Sequence, residues 1–193
     1  MKIGLFGGTF DPIHCAHLII AQFIKEELDI NKLIFIPSGI PPHKEVYLPA
    51  EQRLKMVQLS IEASSEFECS LIEIEARQTT YTVDTVKKIK SQLNVAKEDL
   101  YLIIGADNFI ELSKWKSPEE LFELCQVVVF PRHKITFESG PPEFQKKAIY
   151  LKQAPIIEIS STQIRSLIMQ SRSIKYFVPP AVEAYIKSFK LYS

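Results

Sequence analysis

Lys2-Ile3-Gly4-Leu5-Phe6-Gly7-Gly8-Thr9-Phe10-Asp11-Pro12-Ile13-His14-Cys15-Ala16-His17 is the stretch on which the reading of the chain turns. Residues 2–6 have the apolar content of a short buried strand, and residues 7–12 have the glycines and proline of a turn. An apolar helical pattern then runs over residues 15–28. His14 and His17 fall at the helix start, on one face. A helix N-terminus presents unpaired N–H groups and a partial positive charge, which suit an anion and above all a phosphate. Glycines ahead of it let a ligand approach the backbone closely. The segment reads as a phosphate site with two additional donors. The same histidines could be capping or core residues, or metal ligands, although zinc helices use a spacing of four and a third ligand.

Outward from this junction, strand-like runs alternate with helical patterns, as in a parallel sheet with crossover helices. Strands are expected at 33–36, 67–74, 100–104, 126–130 and 156–159, with a possible bulge near Leu71 and Ile72. Helices are expected at 51–63, facing inward through Leu54, Val57 and Ile61, and at 82–93 through Val83, Val86, Ile89 and Leu93. Ser117-Pro118-Glu119-Glu120 has serine at N-cap, proline at N1 and glutamate at N3 of another helix. Residues 131–147 read as a loop or short-helix insertion. Ser160-Ser161-Thr162 starts a helix carrying Arg165, and Pro179-Pro180 opens a last one, with Val182, Tyr185, Ile186 and Phe189 turned inward. The expected fold is α/β, a Rossmann-like doubly wound parallel sheet with flanking helices and a small helical part from about residue 160. Gly7, Gly8, Gly39 and Gly105 all follow predicted strands, which directs attention to one sheet edge, where open α/β folds bind ligands. No G-x-G-x-x-G fingerprint occurs, so a mononucleotide or triphosphate is favoured over a bound dinucleotide.

The 193 residues suit one α/β domain, and 46% hydrophobic content supports a substantial core. Lys plus Arg number 23, as do Asp plus Glu, with no long basic block, so no nucleic-acid partner is expected. The longest apolar runs fall short of the roughly 20 residues that span a bilayer. The chain also opens directly into a strand without a leader-like segment. Cys15, Cys69 and Cys125 are odd in number and widely spaced. They read as reduced thiols, so a cytoplasmic protein without a membrane role is expected. Self-association as a homo-oligomer is left open.

Ser160-Ser161-Thr162-Gln163-Ile164-Arg165 is a second strand-to-helix junction of the same design, which alone could be an ordinary N-cap with a surface arginine. Two such junctions on one edge favour a polyanion held between them. Taken with Ile40-Pro41-Pro42-His43-Lys44, Tyr81-Thr82-Val83-Asp84-Thr85, Ile103-Ile104-Gly105-Ala106-Asp107, Lys114-Trp115 and Tyr176-x-Val178-Pro179, the chain resembles the nucleotidyltransferase α/β-phosphodiesterase superfamily. Within it, the Tyr81-Thr82 stretch and Trp115 are similar to the nicotinate-mononucleotide adenylyltransferases. The pieces occur in family order over nearly the whole chain. Ala16 departs from the family's His-x-Gly-His, and His133 stands where relatives commonly have proline after Arg132.

The resemblance implies one nucleotidyltransferase domain over residues 1–193 that transfers AMP from ATP to nicotinate mononucleotide, giving deamido-NAD and pyrophosphate in NAD biosynthesis. It implies that Gly7, Gly8, Thr9 and Phe10 line an ATP cradle and that His14 and His17 donate to the phosphates. Ser161, Thr162 and Arg165 would hold the leaving pyrophosphate, and Gly105 and Asp107 would contact the adenosine. Lys44, which alone reads as a solvated surface charge, would meet a phosphate. Tyr81, Thr82, Trp115 and Arg132 would bind the mononucleotide, with Trp115 stacked on the pyridine ring. By the same likeness His14, His17, Lys44 and Arg165 would be the catalytic residues. Mg²⁺ would be held mainly by the ATP phosphates, with no protein metal site. A phosphate monoester, with its second pKa about 6, is already largely dianionic at neutral pH, so no general base is required. The alternatives are another adenylyl- or cytidylyltransferase of the superfamily, of the phosphopantetheine type, or a non-catalytic nucleotide-binding module.

Overall fold

The computed structural model describes residues 1–41 and 46–193. Six strands form one parallel sheet: β1 (Ile3–Gly8), β2 (Lys32–Pro37), β3 (Phe67–Cys69), β4 (Leu100–Gly105), β5 (Gln126–Phe130) and β6 (Ile149–Tyr150). Their spatial order is β3-β2-β1-β4-β5-β6. The chain winds outward from β1 to β3, then crosses back to place β4 on β1's other side. This is the doubly wound arrangement, and its switch point lies between β1 and β4. Pairing of β1 with β4 runs from Ile3↔Leu100 to Phe6↔Ile103, so Gly7 and Gly8 project past it beside Gly105.

Strand side chains alternate between two cores because successive residues face opposite sides of the sheet. Phe6, Leu33 and Phe35 pack against α1 (Cys15–Glu27), α2 (Ala50–Ile61), α7 (Ser161–Met169) and α8 (Pro180–Ser188). Leu5, Ile34 and Ile36 face α3 (Thr82–Leu93), α4 (Ala106–Ile110), α5 (Pro118–Leu124) and α6 (Pro142–Gln145). Helix α3 carries a clean apolar stripe, Val83, Val86 and Ile89, and ends at Asn94 in the left-handed region (φ 46°), which asparagine tolerates better than most residues. Among the described residues, no helix is long and apolar enough to cross a membrane.

Several local expectations are corrected. The strand expected over 67–74 stops at Cys69: the Ser70 N–H bonds the Phe35 carbonyl, and a turn closed by Glu75 N–H on the Leu71 carbonyl follows. The slipped alternation therefore marks a strand end and not a bulge. Residues 156–159 belong to no strand, and the sheet's last strand is Ile149–Tyr150. Ser117 precedes α5 in the left-handed region (φ 47°), so its hydroxyl makes no cap. Glu120 instead pairs with Lys87 at 2.8 Å. Leu54 and Leu93 are less buried than their stripes required, and Phe189 is 60% exposed.

Candidate active site

The turn between β1 and α1 is built from backbone carbonyls that no sheet or helix ladder can satisfy, so side chains from distant segments take them. Arg53 on α2 is wholly buried and donates through Nη1 to the Thr9 carbonyl (2.6 Å), Nη2 to Gly39 (3.0 Å) and Nε to Leu48 (3.1 Å). Arg165 Nη1 donates to the Asp11 carbonyl (2.7 Å) and Ser161 Oγ to the Pro12 carbonyl (2.8 Å). The buried Asp11 carboxylate accepts the Tyr47 N–H and the Tyr192 hydroxyl, each at 2.7 Å. The two strand-to-helix junctions read from the sequence thus touch directly, although 149 residues separate Pro12 from Ser161.

His14 and His17 stack at 3.7 Å between ring centroids, with an interplanar angle of 22°. The His14 N–H donates to His17 Nδ1 at 3.2 Å, which places the proton of a neutral His17 on Nε2. Burial, then the charge of Arg132, pushes the His14 imidazole down to about 3. His17 is depressed well below the ordinary histidine range by burial, its neighbour His14 and Arg132. Both rings are neutral at pH 7, and His14 Nδ1 is buried without a partner among the described residues. Gly7, Gly8 and Thr9 border a cleft of about 330 Å³ whose other walls include Tyr81, Thr82, Trp115, Glu73 and Lys116. Trp115 is half-buried, with one part against the core and one toward the cleft.

Phe10 differs from its expected place as a lining residue. It takes a left-handed backbone (φ 51°) and buries its ring beneath the turn, 5.0 Å from His17 and edge-on to Phe6 and Phe35. A Cβ at Gly8 would meet that ring at 2.8 Å, so the glycine is required for the ring to fit under it. Gly105 ends β4 where a Cβ would collide with Asp107 and come within 2.9 Å of Arg132 Nε. Arg132 reaches Asp107 at 3.4 Å and lies 4.9 Å over the Phe130 ring. It therefore stands with Asp107 and near the histidines, and does not line the cleft bordered by Tyr81, Thr82 and Trp115. Thr162 is exposed and accepts from Arg165 Nη2 at 3.2 Å. Lys44 lies outside the described residues.

Sequence reasoning missed Arg53, the Asp11 carboxylate, Tyr47, Tyr192, Glu73 and Lys116. Arg53 did leave a trace, since it occupies the inner stripe one turn ahead of Val57 and two ahead of Ile61. Gly39 had a second reason to be glycine: a Cβ there would overlap the Glu73 carbonyl. That close approach sets the cleft wall carrying Glu73, whose carboxyl is pushed up by burial against hydrogen bonds from Thr85 and Thr80.

The Rossmann-like sheet, with its β1–α1 turn at the switch point met by the start of α7, fits a nucleotidyltransferase, and the sequence profile of the cytidylyltransferase-like family matches residues 5–167. The chain belongs to that family, and within it to the nicotinate-nucleotide adenylyltransferases. A protein of Caldicellulosiruptor saccharolyticus named probable nicotinate-nucleotide adenylyltransferase is 40% identical over 200 residues, spanning 100% of this chain and 99% of the relative. One of the same name from Caldicellulosiruptor bescii is 43% identical, spanning 97% and 96%. Among solved structures, nicotinic acid mononucleotide adenylyltransferase of Plasmodium falciparum, complexed with NaAD, superposes with a TM-score of 0.79. At 22% identity over 99% of this chain and 97% of that one, it shows the shared fold.

Proposed function

We propose that this chain transfers AMP from ATP to nicotinate mononucleotide, releasing pyrophosphate and forming deamido-NAD. The observation that carries this reading is the position of the cleft. It opens beside Gly7 and Gly8, and the same turn is met at Asp11 and Pro12 by Arg165 and Ser161. A triphosphate lying across the turn would have its α-phosphorus near the cleft mouth. There a phosphate oxygen of the mononucleotide attacks phosphorus as the bond to the pyrophosphate oxygen breaks. The attacking dianion needs no general base.

The roles follow from the chemistry of each group. Gly7, Gly8 and Thr9 offer backbone close to the phosphates, and the His17 Nε2–H and the buried His14 ring donate without adding charge. Arg165 and Thr162 receive the leaving pyrophosphate, with Ser161 holding the two junctions together. Gly105 and Asp107 face adenosine, the carboxylate suiting ribose hydroxyls, and Arg132 acts on this adenylyl side. Tyr81, Thr82 and Trp115 take the pyridine mononucleotide, and Lys44 meets a phosphate. Mg²⁺ would enter with ATP, held mainly by the triphosphate oxygens. Bound so, it neutralises charge developing on the phosphates.

A pyrophosphate-release assay with ATP or CTP, and with nicotinate mononucleotide, its amide or phosphopantetheine as acceptor, tests the proposal. The expected result is turnover with ATP and the acid, with kcat/KM lower by about tenfold or more for the amide. Preference for CTP or phosphopantetheine would overturn the assignment, and turnover with none would make this a nucleotide-binding module.

A further inference from the structure

Lys116 follows Trp115 directly and lines the same cleft. Its Nζ lies 2.8 Å from Asp84 Oδ2, in the first turn of α3, and 4.8 Å from the centroid of the Tyr81 ring. Asp84 is not among the cleft's lining residues, whereas Lys116 is. The Asp84 carboxylate thus pairs with the ammonium, which stands over the aromatic face. The hydrogen bond it donates to Asp84 also raises the ammonium above the ordinary lysine range, so it stays charged at neutral pH. The other lysine lining the cleft, Lys114, is paired with Glu111 of the same cleft at 2.9 Å. Both ammoniums are ion-paired, but the partner of Lys114 lines the cleft, whereas the partner of Lys116, Asp84, does not.

We propose that Lys116 is a specificity-determining residue, whose ammonium selects the acid form of a pyridine mononucleotide against the amide. This rests on the reaction proposed above. In both mononucleotides the ring is a pyridinium. In the acid, the ring carboxylate makes the base a zwitterion of no net charge, while the amide leaves a full positive charge. An ammonium on the cleft wall attracts the first and repels the second, so discrimination has both an attractive and a repulsive part. Lys116 also occupies one face of Tyr81, which leaves Trp115 as the better face for stacking a cationic ring. Unpaired N–H groups at the start of α3 act in the same sense as the ammonium.

The experiment compares wild type with Lys116→Met, Lys116→Gln and Lys116→Arg, measuring kcat/KM for both mononucleotides at saturating ATP and the KM for ATP. In Met and Gln variants the acid-to-amide ratio falls about tenfold, the loss of one charge-assisted contact at a half-exposed site. The change sits in KM for the mononucleotide, KM for ATP holds, and Lys116→Arg restores most of the ratio. An unchanged ratio in Met and Gln variants, or equal loss for both substrates and ATP, refutes this role. Wild-type protein that uses neither mononucleotide refutes the reaction instead, and wild type that uses both equally refutes the selection.

Discussion

Tyr192 Oη donates to Asp11 Oδ1 at 2.7 Å, joining residues 181 positions apart. Burial and the contact with Asp11 push the phenol well above its ordinary range, so the tyrosine remains a donor at any working pH. Removing the hydroxyl leaves a buried carboxylate oxygen without that partner. Tyr192→Phe is expected to cost about 1–2 kcal/mol in urea denaturation. It should also raise KM for ATP more than for the mononucleotide, because Asp11 belongs to the turn proposed to take the phosphates. A variant with unaltered stability would show that the hydroxyl contributes nothing to holding the turn.

Two glycines separate structural from ligand-facing demand. A Cβ at Gly39 would overlap the Glu73 carbonyl, and backbone cannot easily move away. Gly39→Ala should destabilise by about 1–3 kcal/mol, the scale of overpacking. A Cβ at Gly7 meets nothing within 4 Å. Gly7→Ala should hold stability within about 0.5 kcal/mol while raising KM for ATP. Thermal melts with steady-state kinetics on both variants check the contrast.

The histidine pair makes stability depend on pH. His14 is held near 3 in the folded protein against an ordinary value of 6.5, so below 6.5 the unfolded chain binds the proton and the native state does not. Stability is then greatest above pH 6.5 and falls as pH drops toward 3, by about 2 kcal/mol for such a group between pH 7 and pH 5. Urea midpoints for wild type and His14→Asn should converge as pH falls. His17→Ala is expected to lower turnover by about 10²–10³, the scale for losing a preorganised donor. Near-normal turnover would remove that ring from the chemistry.

Trp115 divides its surface between core and cleft. Trp115→Ala should raise KM for the mononucleotide several times more than KM for ATP. An equal rise in both would mark the residue as packing alone.

What could be read from the chain in advance was whatever has a local cause. The bounds of α3, residues 82–93, were legible because a strong apolar period begins after Tyr81 and stops where Asn94 turns left-handed. The Gly7–His17 and Ser160–Arg165 junctions were legible because small and polar residues punctuate apolar runs. Arg53 and Asp11 were not, because their partners are carbonyls and hydroxyls brought near only by the completed fold. Lys116 carried no local mark either, since its neighbours Asp84 and Tyr81 come from another helix. The strand expected at 156–159 was a fair reading of an apolar run, but pairing with β5 went to Ile149 and Tyr150. Periodicity cannot tell which of two short runs wins a sheet edge.

β1 lies in the middle of the sheet, between β2, made soon after it, and β4, made long after. Its register with β4 begins at Ile3↔Leu100, and Arg165 closes on Asp11 from 154 residues away. Such long-range pairing is slow to form. Until α7 has been synthesised, the Asp11 and Pro12 carbonyls lack Arg165 and Ser161, and the first loop has only the bracing that Arg53 and Tyr47 supply.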